Sequence, residues 1–350
     1  MKKLLNVLKY ALLLAFSAAM MWYAVRGLNL SRVGESILQA NYWWLGLTLV
    51  LSALGYFSRA YRWKMQIDAT GYHPSYWEVY HAMMVGYLAN LVLPRLGEVL
   101  RCSVLRRTSG VPVQVGVGTM ITERIIDVVV LGLILGATLL LAFNKFWSFA
   151  TGLVTDKYDT LGQSKQTLIA LAVIGLGLGL VSVYLLWRNL ERLRQHRVFG
   201  KVLSFVKGML AGVFSIRRMP HKGIFLLHTV FTWVVYFLMG YLAFFAFPAT
   251  QHLGLVAALA VLTFGTFGMA APVQGGFGVY HVLVQSTLLV YGISKEDGIV
   301  YALVVHGSQT LLVVLMGGIS FALSMVQSGR AGRQVSAKPQ VARSPAHVVE

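Results

Sequence analysis

Apolar residues run through this chain in long blocks, not at the alternating or one-faced spacing of a soluble core. Blocks of about 20 residues, the length that crosses a bilayer as a helix, fall near 5–24, 42–61, 119–143, 167–187, 223–247, 253–271, 275–292 and 298–325. The pattern predicts an all-α polytopic membrane protein with about eight transmembrane helices. Gly223 to Ser294 contains no Asp, Glu, Lys or Arg, and lipid is the surrounding that accepts such a run outside a core. One apolar segment, Trp77 to Leu93, breaks the rule: it meets Pro94, Gly97 and the charges of Arg95, Glu98 and Arg101 before a loop can form.

Charge then orients the chain. The 350 residues carry 30 Lys+Arg against 12 Asp+Glu, a formal net charge of +18. In a soluble chain that excess would point to nucleic acid. Here no nucleic-acid partner is expected, because basic residues gather in cytoplasmic loops and there attract anionic lipid headgroups. Nine Lys/Arg and a single acid, Glu191, lie between Arg188 and Lys222, which places that loop in the cytoplasm. Lys2, Lys3 and Lys9 put the N-terminus on the same side, and Arg330, Arg333, Lys338 and Arg343 put the tail there too. The M-K-K-L-L start resembles a signal peptide, but the many later spans favour a retained first helix. Residues 1–328 form the membrane unit and 329–350 read as a disordered basic cytoplasmic tail. The nearly balanced loop from Asn144 to Gln166 is expected outside, with Asp156 and Asp159 solvated. Lys201–Arg218 has the spacing of an interfacial amphipathic helix. Since Arg62 and Arg107 both flank cytoplasmic stretches, the Trp77–Leu93 segment must enter and return. It is therefore expected to be a re-entrant broken helix lining a cavity, because irregular backbone at membrane depth needs protein or water around it.

The polar residues near that segment carry the candidate chemistry. Glu98, Glu123 and Asp127 are the acids embedded in membrane-like sequence, and Arg95, Arg101 and Arg124 accompany them. On a helix, Arg95, Glu98 and Arg101 are spaced to pair, and Glu123 and Asp127 share a face. Six such charges facing lipid would cost about 15–20 kcal/mol at the bilayer centre. They must pair inside or sit in a wet cavity, and both a structural ion network and a headgroup site fit. Arginine's planar fork matches phosphate oxygens, and nearby carboxylates can hold it in place. Asn90, one turn before Pro94, is placed to satisfy carbonyls freed by the proline or to act as a hinge.

A second break, A-P-V-Q-G-G-F-G-V-Y-H, runs from Ala271 to His281. Pro272 and Gly275 repeat the spacing of Pro94 and Gly97, and Gln274, Gly276, Gly278 and His281 complete the segment. The chain approaches the two breaks from opposite sides on this map, as in transporters built from inverted repeats around a midplane site. Helix-packing glycines are the simpler alternative. Cys102 stands alone, so no disulfide or multi-cysteine metal site is available. His81, His228, His281 and His306 lack metal-ligand spacing and read as hydrogen-bonded core histidines. No metal is assigned. No cofactor is implied either, and no G-x-x-x-x-G-K-[ST] motif is present.

The segments L-P-R-L-G-E-V-L-R, E-R-I-I-D and P-V-Q-G-G-F-G together resemble the lysylphosphatidylglycerol synthase transmembrane region family, also called the flippase-like domain family, over most of residues 5–325. The resemblance implies that Pro94, Arg95, Gly97, Glu98, Arg101, Glu123, Arg124 and Asp127 form a polar centre in a bacterial plasma-membrane protein. In the family's best-known members this membrane unit moves an aminoacylated phospholipid between leaflets and is fused to a soluble aminoacyl-transferase domain; here no such domain is expected after residue 325, so the lipid-making activity is not expected either. His281 stands where the family often has a carboxylate. The expectation is a flippase or carrier for a phospholipid or polyprenyl-phosphate lipid, not an enzyme. The rival is a glycosyl- or phospho-transferase using a polyprenyl phosphate, with Glu98, Glu123 or Asp127 as base or metal ligand.

Overall fold

The computed structural model describes residues 2–161 and 221–337. They form α1 (Lys2–Val25), α2 (Leu30–Leu38), α3 (Tyr42–Asp68), α4 (Tyr76–Val92), α5 (Leu96–Ser109) and α6 (Val113–Leu161). After the gap come α7 (Lys222–Phe244), α8 (Leu255–Ala270), a 3-10 turn (Gln274–Gly276), α9 (Val279–Val290) and α10 (Lys295–Ala337). No strand occurs among the described residues. Short polar side chains start several helices by accepting the free N–H groups of the first turn. Asn41 accepts from the Trp43 N–H, and Ser75 and Glu78 form a reciprocal box at the start of α4. Gly110 ends α5 in the left-handed conformation, at φ 72°, where a glycine carries no Cβ penalty.

Three described helices are long and apolar enough to cross a membrane, at Val113–Phe149, Lys222–Phe244 and Lys295–Gln327. A fourth results if α2 and α3, bent by 75° at their junction, count as one span. Large apolar side chains cover their outer faces, among them Leu133, Leu140, Leu227 and Ile319. Such a surface belongs in lipid. The chain is thus a multi-pass membrane protein, but the described residues do not reach the eight spans expected.

The difference has identifiable causes. The apolar blocks 253–271 and 275–292 fold as α8 and α9, of 16 and 12 residues. At 1.5 Å per residue these reach about 24 and 18 Å, short of the roughly 30 Å hydrocarbon core. They pack along each other instead, and Gly268 lets the backbone of Tyr280 come close. The pair is a hairpin broken at Pro272–Gly278, not two spans. Farther up the chain, no proline interrupts 144–161, so α6 continues to Leu161 and the loop expected from Asn144 does not begin there. Likewise α10 carries on to Ala337, so the first part of the tail read as disordered is helical. The apolar block 167–187, the amphipathic stretch 201–218 and the tail from 338 lie outside the described residues.

The segment read as a broken helix is the first half of a matching hairpin. α4 runs to Val92, the chain turns through 93–95, and α5 returns along α4. Gly86 and Gly97 permit the contact: a Cβ on Gly97 would collide with the Gly86 carbonyl oxygen. Two apolar clusters fix where the hairpins enter. One joins Ala60, Trp63 and Ile67, at the C-terminal end of α3, to Val79, Tyr80, Leu105 and Val111 at the open end of the first hairpin. The other joins Leu45, at the N-terminal end of α3, to Ala258, Leu288 and Ile293 at the open end of the second. The hairpins therefore insert from opposite ends of α3. Their tips touch, with Leu91 occupying the space that a Cβ on Gly275 would need. α10 runs past both: its His306 bonds the Gly275 carbonyl and its Ser320 bonds His81 of α4.

Candidate functional site

The polar centre lies where α3, α5 and α6 meet. Glu123 of α6 is completely buried, and three arginines converge on it. Arg59 Nη2 donates to Oε1 at 2.8 Å, Arg62 Nη2 to the same oxygen at 3.1 Å, and Arg101 Nη2 to Oε2 at 3.1 Å. One turn along α6, Asp127 accepts from Arg62 Nη2 at 2.8 Å and lies 3.7 Å from Arg59 Nη2. Arg124 reaches toward Glu98 of α5, its Nε 3.2 Å from Oε1 but off the hydrogen-bond axis, and toward Asp127 at 3.8 Å. Four arginines thus share three carboxylates.

Aromatic rings wall the cluster. Arg101 lies over the Trp63 ring, 4.3 Å from its centroid, and Arg59 over Tyr87 at 5.5 Å. Arg59 also donates to the Tyr236 hydroxyl of α7 at 3.0 Å, while the Trp63 indole N–H is held by Thr119 at 3.0 Å. Cation–π contact of this kind favours a guanidinium most where water is excluded. Exposure rises in one direction: the side chains of Glu123 and Arg101 are 0% and 2% exposed, Asp127 19%, Glu98 30% and Arg124 41%. The network has a dry floor and a wetter rim.

Its inner donors are not all used. Nε and Nη1 of Arg62, Nε and Nη1 of Arg101, and Nε of Arg59 are buried without a hydrogen-bond partner, as is the Tyr87 hydroxyl. An unpartnered buried donor costs about 1–3 kcal/mol. With four guanidinium groups to three carboxylates, the centre is left with unused donors.

Five of the six charges singled out in the sequence come together here: Glu98, Arg101, Glu123, Arg124 and Asp127. Arg95 does not. It is exposed, at φ 63° just ahead of α5, and forms no ion pair among the described residues. Because Pro94 ends one helix and the next starts at Leu96, counting helical spacing from Arg95 does not hold. Glu98 and Arg101 also pair across to α6, not with their own helical neighbours. Arg59 and Arg62 were missed although they supply half of the cations. A signal for them exists: Thr48, Ser52, Gly55, Arg59, Arg62 and Gln66 form a polar, small-residue stripe at alternating steps of four and three along an otherwise apolar helix, and all six are buried. That is the spacing of one inward helix face.

Asn90 acts differently from either expectation. Its side-chain oxygen accepts the Gly97 N–H at 2.8 Å, closing the first turn of α5 across the break and not the carbonyls of α4. In the second break, Gly275, Gly276 and Gly278 take positive φ values of 54°, 77° and 81°, conformations that side chains other than glycine rarely adopt. Gln274 Oε1 there is buried without a partner. His306 Nε2 lies 2.9 Å from the Gly275 carbonyl, and the His281 ring lies 5.0 Å from that of His306, tilted by 59°. Ser17 of α1 donates to the Phe277 carbonyl at 2.8 Å. All four histidines in apolar segments are hydrogen-bonded, His81 to Ser320 and His228 to Ser58. Two clefts among the described residues lie off the polar centre. One is lined by Ser103, Arg106, Arg107 and Val113; the other lies between α3 and α7.

No curated protein and no solved structure gives a significant match to this chain. A family model does, over residues 9–317, which include both hairpins and every residue of the polar centre. The protein belongs to the lysylphosphatidylglycerol synthase TM region family.

Proposed function

We propose that this protein is a lipid carrier that moves a phosphate-bearing lipid, a phospholipid or a polyprenyl phosphate, across a bacterial plasma membrane, with both termini in the cytoplasm. Family membership points to a lipid-related role in the membrane. The observation that carries the finer reading is the surplus of buried guanidinium N–H groups around Glu123. Phosphate is the anion whose oxygens match that fork geometry.

On this reading the headgroup reaches the arginines while its chains stay in the bilayer. It then exchanges with Asp127 and Glu123 as acceptor for Arg62 and Arg101. The carboxylates keep the arginines paired when no lipid is bound, which limits the penalty of an empty cationic site. Two hairpins inserted from opposite ends, with touching tips, supply a gate for each side, as alternating access requires. A transferase would need Glu98, Glu123 or Asp127 as a free base or metal ligand. Each is engaged by at least one guanidinium, which favours the carrier.

The test is movement of fluorescent phosphatidylglycerol between leaflets of reconstituted vesicles, followed by chemical quenching of the outer leaflet. Arg62→Gln and Arg101→Gln are expected to slow movement by about tenfold or more, the effect of losing roughly 1.4 kcal/mol. Their thermal unfolding is recorded alongside. Wild-type rates in variants that fold would reject the site.

A further inference from the structure

The cleft between α3 and α7 stands outside the polar centre, yet only one helix separates them. Its volume is 350 Å³. Leu54, Phe57 and Tyr61 of α3 and Phe231 of α7 form apolar walls. Leu54, Tyr61 and Phe231 are exposed on the outer surface, so the cleft opens sideways toward lipid. Its floor is polar. Ser58 Oγ lies 2.9 Å from His228 Nδ1 and 3.4 Å from Thr232 Oγ1. Gly55, with Val235 at the distance of a tight side-chain contact, brings the two helices close enough to form the seam.

Arg62 follows one turn farther along α3. Ser58 and Arg62 are four residues apart on α3, one above the other, and a long helical side chain leans back over the turn that precedes it. Arg62 is fully buried, and its Nε and Nη1 have no partner. Along α3, then, an apolar slot open to the bilayer is lined by a hydroxyl–imidazole pair, and unpartnered cationic donors belong to a residue one turn away. A slot filled by chance packing of apolar side chains has no reason to end on that sequence of groups. An amphiphile with a hydrocarbon chain and an anionic head matches it in order.

We infer that the α3–α7 cleft is a binding site for one hydrocarbon chain of the lipid whose phosphate the polar centre receives, with Ser58 and His228 as the threshold between chain and head. The choice of occupant rests on the carrier reading. The site itself rests on the cleft and the buried donors of Arg62.

The full-length protein in phosphatidylcholine vesicles, given a trace of phosphatidylglycerol bearing a diazirine in one acyl chain, tests this. A diacylglycerol with the same diazirine serves as the probe without phosphate. Adducts are mapped by mass spectrometry after illumination. The phosphatidylglycerol probe is expected to label residues 54–61 and Phe231 about tenfold more than the diacylglycerol probe. Leu54→Trp with Phe231→Trp, which fills the cleft, should abolish that labelling and spare adducts on Leu311 and Leu315, which are exposed on α10. Arg62→Gln should bring phosphatidylglycerol labelling down to the diacylglycerol level. Equal labelling by both probes, or an unchanged preference in Arg62→Gln, overturns the inference. Labelling requires no transport, so the two readings fail separately. A wild type that moves lipid but shows no cleft adducts removes the cleft, and one with cleft adducts that moves no lipid removes the carrier.

Discussion

Glu123 is shared by Arg59, Arg62 and Arg101, and no water-accessible surface remains on its side chain. Glu123→Gln leaves three buried cations facing a neutral amide, and breaking a buried pair costs about 3–5 kcal/mol. Thermal unfolding in detergent is expected to show that loss. Asp127→Asn, at a partly exposed position, should show clearly less. A Glu123→Gln, Arg101→Met double variant should lose less than the sum of the single changes, because the second substitution removes one of the stranded cations. At this scale the sequence disclosed the acids and part of the cations. Glu123 and Asp127 share a helical face by spacing alone. Their partners on α3 lie 61 to 65 positions away, and a contact of that length leaves no local periodic mark tying one side to the other. What α3 did offer was its polar stripe. Arg62 also ends an apolar block, and a basic residue there looks the same as one that faces the cytoplasm.

The two broken hairpins depend on glycines placed where backbones touch. Gly97→Ala would drive a methyl group into the Gly86 carbonyl, so α4 and α5 could not close. A loss beyond about 4 kcal/mol, the range of severe core defects, is expected. It would appear as aggregation during size-exclusion chromatography. Gly118→Ala on α6 is the control: it is helical with open space around its Cβ position, and relief of glycine's entropy cost should raise stability by about 0.5–1 kcal/mol. Both breaks were legible as Pro-x-x-Gly in apolar surroundings. The extent of the second was not. An apolar run records that a segment avoids water, but not whether it crosses the bilayer or turns back within it. The deciding contact, Gly268 against Tyr280, is one of packing.

For the whole molecule, α3 sets the geometry, since the open ends of the hairpins lie at its two ends. Opposite insertion predicts opposite accessibility. Cys102 is buried and can be replaced by Ala to give a background without thiols. In oriented vesicles a membrane-impermeant maleimide should then reach Arg107→Cys from the cytoplasmic face and Gly292→Cys from the other. Labelling of both from one face would refute the arrangement. Membrane class and polar centre were evident from apolar block lengths and misplaced charges, whereas the pairing of the hairpins emerges where distant segments meet. One such meeting constrains the sequence itself. Leu91 already fills the slot beside position 275, where φ is also positive. Added bulk at 275 therefore meets two separate obstacles: trimming at 91, 184 positions away, removes the collision but leaves the backbone strain, so glycine is required there by both.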